Sequence, residues 1–501
     1  MLVRTFGILA ALGMGATSLG VWSATPAPRA EPIAQQTGGE LLVAEPDPSR
    51  PPRADFTREG TLEVSARLGH PVMAAERMGE TYLMVRMEAA PDFGTGARPA
   101  LNLAIVIDRS GSMRGKRLTN ALAAARTAIE GLRTGDVVSV ITYDVDAKTL
   151  VAPVAIDEAS RSRALAALRQ VTPGGNTCIS CALDAAEQAL TSGSSMTAGE
   201  GRVNRVLLLT DGEPTRGVLD VGGFERQSER LRDRGIPIST IGVDVEYNER
   251  ILAAIARASN GRHYFVEDAA SLPRIFEAER QALAATVAKD AQIIVSLAPG
   301  VLVSQVYDRR YQQTGSELVI PIGALSAGEE RTVLVRVETP SASAGEQRVA
   351  GVFVSYDDLV RGGRSVADGE LNRALSFEEA EWSPLDSIVA ARVSRSETAQ
   401  VLIEANQLVA SGRASDARAR LGSQLAALEA KRSKLSKGEE SVKKDLDRQA
   451  SALAAASEGF ADAPAEPAAP GVAAAPAPAA PAKKSRAQTR ANAERAVGLG
   501  Y

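Results

Sequence analysis

Apolar runs alternate with helical periods between residues 99 and 287. Five strand-like runs without polar alternation occur there, and apolar residues at helical spacing lie between them, as in residues 118–132. Strands that are apolar on both faces, each followed by a helix, predict a parallel sheet covered on both sides. In such a sheet, ligands bind at the carboxyl ends of the strands. The loops after Ile107 and Thr210 are therefore the first places to look for chemistry.

Strand-like runs without helices follow this α/β region, and two more precede it. Between residues 288 and 383, five such runs are separated by turn residues such as Pro299-Gly300, a pattern typical of an antiparallel β-sandwich. Similar runs at residues 61–68 and 81–89 lie within the segment 59–98. We expect the early strands to join the later ones, so that the α/β domain is inserted into a β-sandwich domain.

Helical periods return at residues 384–459. One apolar face spans residues 398–409 and another spans residues 417–428, with Ser411-Gly412 between them, which predicts a helical hairpin or a short coiled coil. Residues 460–501 begin as an Ala/Pro-rich low-complexity stretch and end in a basic segment. We interpret this tail as disordered and solvated, with at most a short terminal helix.

The first 24 residues have the pattern of an export signal. Arg4 precedes an uncharged run at residues 6–22, and small residues follow it, as in secretory signal peptides. The run is short for a membrane span and contains four glycines, so an uncleaved N-terminal anchor is the second interpretation. Residues 25–58 are rich in Pro, Ala and Glu and predict a disordered linker. The expected location is the periplasm, the cell envelope or the extracellular medium.

Composition narrows the chemistry of any site. The 501 residues carry a net charge of −4 and include only two cysteines and two histidines. These numbers exclude a disulfide scaffold and a four-cysteine zinc site, and neither His70 nor His263 lies in an HExxH-type motif. The slightly acidic balance argues against a dedicated nucleic-acid binder. A metal ion in this chain would therefore be held by oxygen ligands.

Three loops place hydroxyl and carboxylate side chains at one edge of the predicted sheet. Asp108, Ser110 and Ser112 follow the first core strand. Asp211 follows a later strand, and Thr177 lies in a loop between the two. With two carboxylates, this set suits a hard divalent cation such as Mg²⁺ or Mn²⁺ that keeps some waters and an open position. The alternative is a metal-free cluster whose side chains cap helices and turns.

These loops resemble those of the von Willebrand factor type A (VWA) domain, and the resemblance covers the whole α/β region. It rests on the DxSxS loop, the Gly-Gly-x-Thr loop and the strand end LLLTDGEP, in that order. The resemblance implies a metal-ion-dependent adhesion site in which the hydroxyls of Ser110, Ser112 and Thr177 coordinate Mg²⁺ (or Mn²⁺ or Ca²⁺). Asp108 and Asp211 would hold the ion largely through waters and hydrogen bonds. A carboxylate from a partner protein would complete the coordination shell.

Four further residues lie beside this set. Arg109 and Glu213 flank it and are interpreted as rim residues, which either influence partner choice by charge or are simply solvated. Cys178 and Cys181 follow directly after the Gly-Gly-x-Thr loop, at the start of a predicted helix. A local disulfide would stiffen that loop in an exported protein, and a buried reduced pair is the equal alternative.

The sequence contains no legible arrangement of nucleophile and base, so we expect a binding protein and not an enzyme. The first hypothesis is an exported protein that recognises a partner with an exposed acidic residue through the cation. The second is an accessory subunit of an ATP-driven machine, as in VWA domains partnered to chelatase-like ATPases. The third is an envelope scaffold whose contacts ignore the metal. We expect no nucleic-acid partner, and membrane contact only through an uncleaved anchor.

Overall fold

A computed structural model describes residues 54–91, 99–192, 202–211, 213–243, 248–436, 438–461 and 479–500. The predicted export signal and most of the predicted linker lie outside these described residues, as does most of the Ala/Pro-rich stretch. Within the described ranges, no helix has both the length and the apolar character needed to cross a membrane.

The secondary-structure elements follow the predicted order of strands, alternating strands and helices, strands, and helices. The strands are β1 (Asp55–Arg58), β2 (Leu62–Leu68), β3 (Val72–Ala74), β4 (Gly79–Ala89), β5 (Leu101–Asp108), β6 (Val137–Tyr143), β7 (Ala147–Ala155), β8 (Val203–Thr210), β9 (Ile238–Val243), β10 (His263–Val266), β11 (Thr286–Leu297), β12 (Leu302–Val306), β13 (Gln312–Thr314), β14 (Glu317–Ser326), β15 (Glu330–Thr339), β16 (Gly345–Asp358) and β17 (Arg364–Ser376). The helices are α1 (Lys116–Glu130), α2 (Glu158–Leu168), α3 (Ile179–Thr191), α4 (Val221–Asp233), α5 (Glu249–Ala258), α6 (Leu272–Ala284), α7 (Ser387–Ala410), α8 (Ala414–Arg432), α9 (Glu440–Gly459) and α10 (Ala479–Gly500).

The α/β domain is built on a six-stranded sheet with the order β10-β9-β8-β5-β6-β7. Its neighbouring strands are parallel except for β7, which pairs antiparallel with β6 at one edge. Strand β5 is buried along its whole length, because α1, α2 and α6 cover one face of the sheet and α3, α4 and α5 cover the other. The predicted doubly wound, mostly parallel sheet is confirmed. Strand β7 was missed because its edge position leaves it half exposed, with a mixed polar pattern.

Two further sheets, with the orders β1-β2-β4-β15-β12 and β13-β14-β11-β16-β17-β3, enclose a separate apolar core. Strand β4 pairs antiparallel with β15 along its length, so strands from both sides of the α/β domain share one sheet. The predicted insertion into an antiparallel sandwich is present, with one parallel pair, β17 and β3. The predicted linker ends earlier than residue 58, because Asp55–Arg58 pairs with β2 and buries Phe56.

The predicted helical hairpin is formed by α7 and α8. Gly412 lies in the turn between them at φ +82°, a backbone conformation in which a residue with a Cβ atom is strained. Helix α9 packs against both members of the hairpin. The predicted helical region, residues 384–459, therefore contains a third helix beside the hairpin.

The interpretation of the basic terminal segment as a solvated tail was wrong. Helix α10 packs against α7 and also reaches α5 and β10 of the α/β domain, where Arg490 lies 3.3 Å from a Glu249 carboxylate oxygen. Its buried face includes Ser485, Thr489 and Asn492. Because that face is largely polar, the segment lacks the apolar 3.6-residue period by which a packed helix is recognised.

Candidate functional site

Asp108 ends strand β5 at the carboxyl edge of the parallel sheet. Its side chain is fully buried. Oδ1 accepts a hydrogen bond from the backbone N–H of Ser110 at 2.7 Å, and Oδ2 accepts one from the Thr210 hydroxyl at 2.6 Å. Strand β8 runs parallel to β5, which brings Thr210 beside Asp108. Burial raises the pKa of Asp108 to about 6, and the hydrogen bonds from Thr210 and Ser110 oppose that shift.

Ser112 connects this first loop to the loop that follows β8. Its Oγ lies 3.0 Å from the Oγ of Ser110 and donates to Oδ1 of Asp211 at 2.8 Å. Asp211 is buried. Burial raises its pKa, while the Ser112 hydrogen bond and the charge of Arg117 act in the opposite direction. The two carboxylates predicted for the site therefore stand at one edge, linked through the two serines of the DxSxS loop.

Backbone hydrogen bonds bring the third predicted loop to the same edge. The N–H of Gly111 donates to the carbonyl of Gly175 at 2.8 Å. Thr177 is buried, its N–H donates to the hydroxyl of Thr215 at 2.9 Å, and its carbonyl accepts from the N–H of Thr215 at 2.8 Å. Thr177 thus lies between the DxSxS loop and the loop after Asp211, where the sequence placed it.

Cys178 and Cys181 form a disulfide at the start of α3, with their Cα atoms 5.4 Å apart. Within this first turn, the hydroxyl of Ser180 accepts a hydrogen bond from the N–H of Val218 at 3.0 Å. Gly217, at φ +71°, lies so close to Ser180 and Cys178 that an added Cβ would clash with both side chains. The disulfide turn is therefore packed directly against the loop that contains Glu213.

The two predicted rim residues have different surroundings. Glu213 is exposed. Arg109 lies 2.8 Å from Oδ2 of Asp144, and the same oxygen accepts a hydrogen bond from the N–H of Gly175 at 3.2 Å. Arg109 therefore braces the third loop through Asp144.

Arg117 is a further member of the site that sequence reasoning missed. It lies in the first turn of α1, and its Nη1 donates to Oδ2 of Asp211 at 2.9 Å and to the carbonyl of Ser112 at 3.1 Å. Its side chain is 27% exposed, whereas that of Asp211 is 0% exposed. The sequence signal is weak because Arg114 and Lys116 lie beside Arg117, and only geometry distinguishes the three.

The spacing of these oxygens fits a small, hard cation. An octahedral Mg²⁺ binds its ligands at about 2.0–2.1 Å, which places neighbouring ligand oxygens about 2.9 Å apart. The Ser110–Ser112 and Ser112–Asp211 oxygen separations are 3.0 and 2.8 Å. In the described part of the chain, His, Cys, Asp and Glu form no metal-binding group of three or more. Hydroxyl ligands bring no charge, so a divalent ion here would keep its attraction for an incoming anion.

The α/β region matches a known family. The family model of the von Willebrand factor type A domain matches residues 102–278, which hold the parallel sheet and the three loops described above. The chain therefore contains a VWA domain, as its motifs predicted.

Two relatives show how far the sequence similarity extends. The chain is 29% identical over 297 residues to the uncharacterised protein YfbK of Escherichia coli, which covers 57% of this chain and 47% of that protein. It is 29% identical over 154 residues to mouse inter-alpha-trypsin inhibitor heavy chain H2, which covers 29% of this chain and 16% of that protein. The chain thus matches less than half the length of either relative.

Solved structures share the fold over a longer stretch. A von Willebrand factor type A protein from Catenulispora acidiphila aligns with a TM-score of 0.63 and 18% identity, covering 79% of this chain and 88% of that one. The ArnB paralog VWA2 from Sulfolobus acidocaldarius aligns with a TM-score of 0.54 and 19% identity, covering 79% and 98%. Because 79% of the chain exceeds the length of the VWA domain, these similarities include part of the surrounding architecture.

Proposed function

We propose that this chain is an exported, non-enzymatic binding protein that recognises a partner protein through a divalent cation. The cation is Mg²⁺, with Mn²⁺ and Ca²⁺ as alternatives, and the partner supplies an exposed carboxylate. The observation that carries this proposal is the position of the Ser112 hydroxyl. It joins Ser110 to Asp211 at separations typical of neighbouring ligands around a small cation.

Charge supports an anionic ligand from the partner. Asp108 and Asp211 keep pKa values raised by burial, so their negative charge is incompletely compensated and favours an entering cation. An ion bound mainly by hydroxyls and waters remains electrophilic toward an external carboxylate. Arg114 and Lys116 are exposed beside the DxSxS loop, and their positive charge favours the approach of an acidic surface.

Two features support export. Residues 1–24 have the charged, apolar and small-residue regions of a secretory signal. The disulfide between Cys178 and Cys181 is of the kind that persists in oxidising compartments outside the cytoplasm. Periplasm, cell envelope and extracellular medium all meet this condition.

Titration calorimetry with Mg²⁺ and Mn²⁺ tests the cation site. We expect the wild type to bind one ion per chain and the Asp108→Ala/Asp211→Ala double variant to bind at least about tenfold more weakly, since each lost carboxylate removes an anion from the ion's surroundings. Asp146→Ala is the matched control, because Asp146 is an exposed carboxylate on the neighbouring turn. Equal affinity in the wild type and the double variant would refute the cation site.

A pull-down with and without a chelator tests the partner interaction. A protein that is retained in Mg²⁺, released by EDTA and not captured by the double variant is the expected result. A partner that resists EDTA would favour a metal-independent envelope scaffold instead. Recovery of an ATPase, together with uncleaved protein in the cytosol, would favour an accessory subunit of an ATP-driven machine.

A further inference from the structure

The two oxygens of the Asp211 carboxylate face different groups. Oδ1 accepts the Ser112 hydroxyl at 2.8 Å, on the side of the proposed cation, and Oδ2 accepts Nη1 of Arg117 at 2.9 Å. Asp108 has no equivalent charged neighbour among its hydrogen bonds, because its donors are the Thr210 hydroxyl and the Ser110 backbone N–H. Among the described residues, the positive charge of Arg117 therefore faces Asp211 and not Asp108.

A divalent ion and a guanidinium repel each other when they share one carboxylate. The Asp211 side chain is fully buried, so water screens this repulsion poorly. Arg117 cannot relieve it by losing a proton, because an arginine side chain stays charged in proteins. The side chain can move, however, because it enters from the solvent side and is 27% exposed.

We propose that Arg117 is a built-in competitor of the cation. This inference rests on the cation site proposed above. Arg117 pairs with Asp211 until the ion enters, and then leaves the carboxylate, so that ion binding is an exchange of one cation for another. The hydrogen bond from Nη1 to the carbonyl of Ser112, at 3.1 Å, breaks in the same step.

The consequence is a site that fills only when the cation concentration is high enough to displace a guanidinium. Ion occupancy and the position of Arg117 become two states of one equilibrium. Because Arg117 lies at the rim, its displacement also leaves a positive side chain beside the bound ion, where the partner's carboxylate would approach.

Mn²⁺ binding to the full chain, measured by electron paramagnetic resonance at fixed ionic strength, tests this proposal. We expect Arg117→Gln to lower the Mn²⁺ Kd by about tenfold or more, since the competitor is removed. Arg117→Lys keeps the charge and should stay within about threefold of the wild type. Arg114→Gln is the matched control for the general field, because Arg114 is an exposed arginine on the same loop, and it should change the Kd less than about threefold.

The Mn²⁺ affinities of the variants distinguish the competitor role of Arg117 from its alternatives. If Arg117→Gln and Arg114→Gln shift the Kd equally, the effect is one of general charge and the competitor role is overturned. If Arg117→Gln weakens Mn²⁺ binding, Arg117 instead positions Asp211 for the ion. If the wild type binds Mn²⁺ and Arg117→Gln brings no gain, this inference alone fails. If neither the wild type nor Arg117→Gln binds Mn²⁺, the proposed cation site is refuted together with this inference. Circular-dichroism melting verifies that Arg117→Gln and Arg114→Gln are folded.

Discussion

Two regions of the molecule bury pairs of carboxylates with opposite electrostatic results. At the carboxyl edge of the VWA sheet, burial raises the pKa of Asp108 to about 6 and also raises that of Asp211. Where the VWA domain meets the β-sandwich, Glu279 and Glu329 have side chains only 1% and 15% exposed. The pKa of each glutamate is nevertheless lowered. Burial alone would raise all four, so the difference lies in the neighbouring charges.

The glutamate pair is surrounded by arginines of the same chain. Glu279 lies 3.7 Å from Arg205 and 3.5 Å from Arg262, and it accepts the Tyr264 hydroxyl at 2.5 Å. Arg262 also lies 3.2 Å from Glu329, which links the VWA domain to the sandwich. These charges overcome the burial penalty and hold both glutamates ionised.

This difference separates an ion network that links the VWA domain to the sandwich from the proposed cation site. The network compensates its carboxylates with its own cations, and removing one partner leaves a buried charge unpaired. At the edge of the VWA sheet, the neighbouring groups offset only part of the burial penalty on Asp108 and Asp211. Arg117 is the cation that contacts Asp211 there. Carboxylates whose pKa values are raised by burial cluster at functional sites.

The largest change in stability should come from breaking the ion network around Glu279. Glu279→Gln leaves Arg205 and Arg262 without their shared carboxylate in a buried position, and we expect a loss of about 3–5 kcal/mol of stability, measured by urea unfolding. Glu277→Gln on the same helix is the matched control, because the Glu277 side chain is 33% exposed whereas that of Glu279 is 1% exposed, and it should cost less than about 1 kcal/mol. Equal losses in the two variants would remove the distinction between the regions.

At the VWA edge, removing a carboxylate charge should increase the free energy of unfolding instead of lowering it. The folded-state pKa of Asp108 is raised from 3.8 to about 6, so its ionised form destabilises the fold by about 3 kcal/mol at neutral pH. Asp108→Asn removes this charge, but its amide N–H replaces one of the two accepting oxygens, so we expect a net stabilisation below about 3 kcal/mol in EDTA at pH 7.5, measured by the same urea unfolding. A destabilised Asp108→Asn variant would show that this carboxylate is structural, like Glu279.

A bound cation should compensate the charges of the two buried aspartates, as the arginines compensate the two buried glutamates. Mg²⁺ at about one hundred times its Kd would stabilise the wild type by about 2.7 kcal/mol, because it binds the folded state only. Thermal melting with Mg²⁺ and with EDTA measures this stabilisation. Asp108→Asn should gain much less, and Glu279→Gln should gain as much as the wild type because the network lies outside the site. If Mg²⁺ stabilises Asp108→Asn as much as it stabilises the wild type, the ion binds elsewhere.

A lower pH should change the stability effects of the Asp108 and Glu279 variants by different amounts, and this difference is smaller than those above. For Asp108 the folded pKa is raised, so stability from its protonated form is present below pH 3.8 and lost as the pH rises through about 6. For Glu279 the folded pKa is lowered, so its stabilisation is present above pH 4.5 and lost as the pH falls further. At pH 5 the gain in Asp108→Asn should shrink by about 1.5 kcal/mol while the loss in Glu279→Gln is unchanged. Urea unfolding at pH 7.5 and pH 5 measures both differences.

The sequence by itself determined the parallel sheet, its insertion into the sandwich and the α7–α8 hairpin. It also determined that the three loops meet at one edge of the sheet. These features depend on local periodicity and on the order of elements, because the carboxyl ends of parallel strands must lie at the same edge. That the five residues at this edge bind a cation stays a prediction.

Only the tertiary structure decided which charges meet. Arg117 and Asp211 are 94 positions apart, and the arginines that hold Glu279 come from β8 and from the turn before β10. Helix α10 likewise contacts α7 through a hydrogen bond between Asn492 and Asn406, beside the small apolar contact of Ala496. Hydrophobic periodicity is written locally in the chain, whereas a hydrogen bond or ion pair between distant residues depends on distances that exist only after folding. The low content of cysteine and histidine pointed to oxygen ligands for any metal ion, and only the fold placed Arg117 against one of those oxygens, on Asp211.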